Sequence, residues 1–120
     1  MEYRITIKDW RPWPDNKLSG GTHWSVRSKR KKQDELIVSL SARIADTPKA
    51  TGKRRVHLEI VLSGKQQQTD PLAYAKSTLD ALTKCGMLID DSTEYVEWIT
   101  PTYRRDDHTQ TTIVLTEVQE

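Results

Sequence analysis

The stretch "RRVHLEIVLS", residues 54–63, sets Val56, Leu58, Ile60 and Leu62 two residues apart, the period of a strand that turns one face toward a core. A few residues later the period changes. In "TDPLAYAKSTLDALTKCG", residues 69–86, Leu72, Ala75, Leu79 and Leu82 recur three or four apart, the spacing of one helix face. Asp70 before Pro71 is a helix-start signal, because the carboxylate accepts from free N–H groups and proline suits the first helical position. Gly86 is the matching stop. A strand feeding a helix in mid-chain makes the fold a mixture of the two.

Upstream, "EYRITIK" alternates Tyr3, Ile5 and Ile7 with polar residues and predicts a first strand. The segment "DWRPWPDNKLSGGTHWS" holds two prolines, two glycines and three tryptophans with no period, and reads as a loop with bulky anchors. No helix breaker follows Ser25 until Pro48, and Ile37, Leu40 and Ile44 share a stripe, so a helix is expected over 26–45 with that stripe inward. Downstream, "EYVEWITPTY" and "TTIVLTEV" read as a closing pair of strands joined by the polar turn "RRDDHTQ". Pro101 has no N–H for a ladder, so its strand is expected at an edge or with a bulge. The order strand, helix, strand, helix, strand, strand predicts an α+β domain with a small mixed sheet of about four strands and two main helices.

The length of 120 residues suits one domain spanning 1–120. Only 35% of residues are hydrophobic and 30% are charged, a modest interior that makes shared apolar surface in a homodimer reasonable. No apolar run approaches the roughly 20 residues of a membrane span and no signal-peptide core is present, so a cytoplasmic protein without a membrane partner is expected. Cys85 is the sole cysteine, which excludes an internal disulfide framework and thiolate-rich zinc sites. His23, His57 and His108 are scattered without ligand spacing.

The net charge of +2 is unevenly spread: residues 1–55 carry 14 Lys/Arg and 6 Asp/Glu, whereas residues 56–120 carry 5 and 11. A basic half beside an acidic half suits a protein that holds phosphates on one surface and a cation on another. Arg27, Lys29, Arg30, Lys31 and Lys32 crowd the first turns of the predicted long helix. Cations there oppose the helix macrodipole, so they do little for the helix itself. They read either as a solvated basic face or as a grip on a nucleic-acid backbone. Trp10, Trp13 and Trp24 flank this segment, and either stack on unpaired bases or pin the loop to the sheet.

The acidic positions also have two readings. Asp70 can be a cap, Lys76 and Asp80 an i,i+4 ion pair, and Asp90, Asp91 and Ser92 a polar turn. Taken together, an Asp at a helix start, a Lys on its second turn and an Asp pair after it are the parts of a Mg²⁺-dependent phosphodiesterase. The metal takes hard carboxylate oxygens, and the lysine balances charge on the phosphate.

This block resembles the central motif of the RusA-like Holliday junction resolvases, small dimeric endonucleases of phages and prophages. That motif reads approximately D-x-D-N-L-x-K, then a D-A-L-T-x-x-G helix and L-x-D-D. "DPLAYAKSTLDALTKCGMLIDD" matches without a gap at Asp70, Lys76, Asp80, Ala81, Leu82, Thr83, Gly86, Asp90 and Asp91. The likeness continues loosely through a first strand, a Pro-Asn loop, a basic helix and a final strand pair. It implies an intertwined homodimer and paired nicks in four-way DNA junctions during recombination and repair. It also implies a need for Mg²⁺ or Mn²⁺. Position by position, it makes Asp70 and Asp91 metal ligands, Asp90 an accessory ligand and Lys76 the catalytic cation. Arg27, Lys29, Arg30, Lys31, Lys32 and Trp24 become DNA contacts.

The match breaks at residues 72 and 73. Leu72 stands where the family has a second aspartate, and Ala73 where it has asparagine. Setting Asp70 on the second family aspartate instead would displace Lys76 by two positions. Either way one carboxylate is missing, so two functions are carried forward: a junction-resolving endonuclease, and a catalytically weakened or inactive relative that binds branched DNA or another protein. A helix over 71–85 would be about 22 Å long, whereas six residues reach at most about 20 Å. Asp91 therefore returns to Asp70 only if the helix is shorter, or if the carboxylates meet across a dimer.

Overall fold

The computed structural model describes residues 1–12, 24–64 and 74–118, with 24–27 described by backbone alone. The elements are β1 (Glu2–Lys8), α1 (Trp24–Ile44), β2 (Arg54–Ser63), α2 (Ala75–Lys84), β3 (Val96–Asp106) and β4 (Gln110–Glu117). The strands form one mixed sheet in the order β1-β4-β2-β3. β4 is antiparallel to β1 and β2, while β2 and β3 run parallel. The expected α+β class, four strands and two helices are all present.

The alternation of β2 builds the core. Val56, Leu58, Ile60 and Leu62 are at most 1% exposed. Val56 lies opposite Leu115 of β4 and Leu58 opposite Ile113, and Ile5 of β1 pairs with Ile113 from the other side. Val38 and Ala42 of α1 and Ala81 and Leu82 of α2 complete this cluster. Each such aliphatic side chain stabilises the fold by about 1.5–3 kcal/mol through burial. The opposite sheet face is polar: Arg4 pairs with Glu59, and the Thr6 and Thr112 hydroxyls meet at 3.2 Å.

Two expectations are corrected. β3 and β4 are not a hairpin, because β2 lies between them. β4 is buried on both faces, with Thr111, Ile113 and Leu115 on one and Thr112 and Val114 on the other. β3 occupies the edge. Its register against β2 shifts between His57 and Glu59, which sets Thr100 and Pro101 across from Leu58 alone, so Pro101 sits on an edge strand and in a bulge.

The inward face of α1 also differs. Val38 and Ala42 are buried with Asp34, whereas Leu40 is 46% and Ile44 86% exposed. Leu40 and Ile44 of the expected stripe point outward with Leu36, while Ile37 stays partly buried against the core.

Finally, α2 begins at Ala75 with Tyr74 as N-cap and no side-chain cap hydrogen bond. Tyr74 just before it is fully buried. Asp70, Pro71 and Leu72 lie outside the described residues.

The stop at Gly86 is as expected. Met87 N–H donates to Leu82 O at 2.9 Å and Gly86 N–H to Thr83 O at 3.2 Å, a Schellman closure with Gly86 at φ +84°. A Cβ there would meet the Lys49 side chain at 3.2 Å, a flexible chain that can yield, so the cost of a side chain is the backbone's. Gly86→Ala is expected to lose about 1–2 kcal/mol, read as a lower urea midpoint at unchanged slope.

Candidate functional site

Helices α1 and α2 pack side by side and leave a recess lined by Lys31, Asp34 and Glu35 from one and Lys76, Ser77 and Asp80 from the other. Lys31 Nζ stands 3.7 Å from Asp80 Oδ2 across the seam. This partly exposed pair contributes a few tenths of a kcal/mol at most. It nonetheless corrects the expected Lys76–Asp80 pair, because Asp80 turns to the neighbouring helix instead. Lys76 is exposed and forms no ion pair among the described residues. Its ammonium is therefore available to an incoming anion, in a recess shared with one of the basic residues of α1.

The other basic residues divide by environment. Lys29 and Lys32 are exposed on α1, whose first turn contains no acidic residue. Arg30 is engaged inside the protein: its Nε donates to Asp34 Oδ1 at 2.9 Å and its Nη2 to Arg11 O at 3.2 Å. The side chains of Arg27 and Trp24 lie outside the described residues. Trp10, 8% exposed, follows the core reading and donates from Nε1 to Asp34 Oδ1 at 2.9 Å.

Asp34 is thus a buried carboxylate, only 6% exposed, that receives two N–H groups and holds the 9–12 segment against the basic helix. Sequence reasoning passed over it. The i,i+4 spacing to Arg30 was a visible signal, but the bond from Trp10 is long-range and carried none.

Beyond the Schellman closure the chain turns outward. Met87 and Leu88 are buried, while Asp90 and Asp91 are exposed and form no ion pair among the described residues. The ten-residue α2 is about 15 Å long, and Asp70, the other end of the expected carboxylate pair, lies outside the described residues. Oxygen-only donors, exposed and unpaired, fit a hard divalent cation that keeps several waters. They do not fit zinc, and Cys85 does not help, because burial pushes its thiol up from its ordinary value and away from the thiolate.

Among the described residues, one group of three has ligand atoms near one another: Asp106, Asp107 and His108, all within 4.8 Å. It lies in the β3–β4 connection and is occupied by its own contacts. Asp106 accepts from the Asp107 N–H at 2.8 Å and from Arg104 at 2.9 Å, and chiefly the first of these holds its carboxyl below the usual range. Asp107 meets His108 Nδ1 at 3.0 Å.

The geometry therefore brings Lys31, Lys76 and Asp80 together and leaves Asp90 and Asp91 exposed after α2. No helix among the described residues is long and apolar enough to cross a membrane. Compared with known proteins, the chain matches no family model and no curated protein.

Proposed function

We propose that the protein is a Mg²⁺-dependent, structure-selective endonuclease of the RusA-like type that resolves four-way DNA junctions by paired nicks. The observation that carries this reading is the shared recess of Lys76 and Lys31. The motif's lysine, free of ion pairs among the described residues, stands on the same surface as the basic segment that would hold the phosphate backbone. Lys29, Lys31 and Lys32 grip DNA without reading bases, which makes binding fall steeply with salt. Lys76 donates to the phosphate oxygens as charge develops on them. Asp91, with Asp90 beside it and Asp70 from the start of the motif, supplies the carboxylates for Mg²⁺ or Mn²⁺. When bound, the metal polarises the phosphate and lowers the pKa of the attacking water.

Paired nicks need two sites, hence a homodimer. The outward stripe of Leu36, Leu40 and Ile44, 60%, 46% and 86% exposed, is apolar surface that a second copy would cover. Leu72 favours a second reading, a junction-binding protein whose metal site is too weak to cleave.

The deciding experiment incubates the protein with a synthetic four-way junction and Mg²⁺, beside linear duplex and an EDTA control, with sedimentation to record the assembly state. The expected outcome is symmetric, Mg²⁺-dependent nicking by a dimer, lost in Asp91→Asn. Tight junction binding without cleavage in Mg²⁺ or Mn²⁺ would leave the second reading standing. Failure to bind any DNA at low salt would end both.

A further inference from the structure

Arg54 is the largest fully buried side chain among the described residues, 1% exposed at the start of β2. Its guanidinium has little to hold it: Nη1 donates to Met87 O at 3.0 Å, Nη2 stands 3.5 Å from Glu117 Oε1, and the group lies over the Tyr3 ring at 5.1 Å. Its Nε and Nη2 have no hydrogen-bond partner. A buried cation so poorly satisfied costs stability that an apolar residue of the same size would not. What Arg54 does supply is a clasp. Its side chain holds Met87 O, and its backbone N–H donates to Tyr95 O at 3.0 Å, so one residue closes both ends of the loop that carries Asp90 and Asp91. Ala50 N–H, on the segment just before β2, adds a bond to Gly86 O at 2.9 Å.

We propose that Arg54 is a positioning residue that fixes the loop 87–95 and, through it, the carboxylates of Asp90 and Asp91. The loop has few anchors of its own. Met87 and Leu88 are buried, but residues 89–94 are exposed, and within it the Tyr95 and Val96 N–H groups both turn back to Ser92 O at 2.9 and 3.0 Å. A flexible carboxylate pair binds a cation weakly, because the ordering cost falls on the binding step, and groups that orient ligands commonly matter 10–100-fold for metal affinity. The metal part of this inference rests on the function proposed above, whereas the loop part does not.

The test compares wild type with Arg54→Met and Arg54→Lys by three measurements: backbone hydrogen exchange, Mn²⁺ binding read by water-proton relaxation, and junction binding in EDTA. In Arg54→Met, the amides of Met87, Leu88, Tyr95 and Val96, which carry the loop's hydrogen bonds, are expected to exchange about tenfold faster or more while α1 keeps its protection. Mn²⁺ binding is expected to weaken about tenfold, with junction binding in EDTA unchanged. Arg54→Lys, which can still offer one donor to Met87 O, should recover part of both. Unchanged exchange at these four amides in folded Arg54→Met overturns the proposal, and so does a loss of protection spread evenly over α1 and the loop. If Arg54→Met does not fold, the exchange of Arg54→Lys decides alone. Wild type and Asp91→Asn binding Mn²⁺ equally well would defeat the metal reading, and loop exchange would still decide the clasp.

Discussion

Lys76→Ala should slow Mg²⁺-dependent nicking of a four-way junction by about 10²–10³-fold, the usual loss when a group that stabilises transition-state charge is removed. Single-turnover rates with saturating protein measure it. Because Lys76 is exposed and unpaired among the described residues, the same substitution should leave the melting temperature and the circular dichroism spectrum where they were. Junction affinity should fall only by the share of one phosphate contact. Loss of stability or of all DNA binding alongside the rate would make Lys76 a structural residue instead. A variant that cleaves at the wild-type rate would remove it from the chemistry.

The second large effect runs in the opposite direction. Leu72→Asp restores the carboxylate that the family motif carries at that position, and should raise Mn²⁺ affinity about tenfold or more, because affinity for hard cations follows the number of charged oxygens offered. Calorimetric titration and the junction assay report it together. Cleavage that appears only in Leu72→Asp would mark the natural protein as a binder with a disabled site. No change in metal affinity would mean that position 72 does not reach the cation, and that Asp70 occupies the other register.

The parts legible in the sequence were those governed by local physics. Period-2 runs located β1, β2 and β4, Gly86 located the end of α2, and the missing N–H of Pro101 placed β3 at an edge with a bulge. What failed was decided by distant partners. Nothing near Gln110–Glu117 says that this strand enters between β1 and β2 rather than folding back on β3. The stripe of Ile37, Leu40 and Ile44 obeyed helical spacing, yet Val38 and Ala42 hold the inner face, a choice that spacing does not encode. At the site, the motif pointed to Lys76 and Asp91, while Asp34 and Arg54 act through bonds to Trp10 and Met87 that only the folded chain creates.

The place of β4 also bears on how the chain is made. β4 follows the other three described strands in sequence yet sits between β1 and β2, so until it is made neither of them has its neighbour on that side. Their apolar faces and open edges wait on the C-terminal segment. Completing the sheet therefore depends on pairing between segments about a hundred residues apart, the kind of long-range contact that slows folding. A product released before residue 110 would expose pairing edges of the kind that drives aggregation.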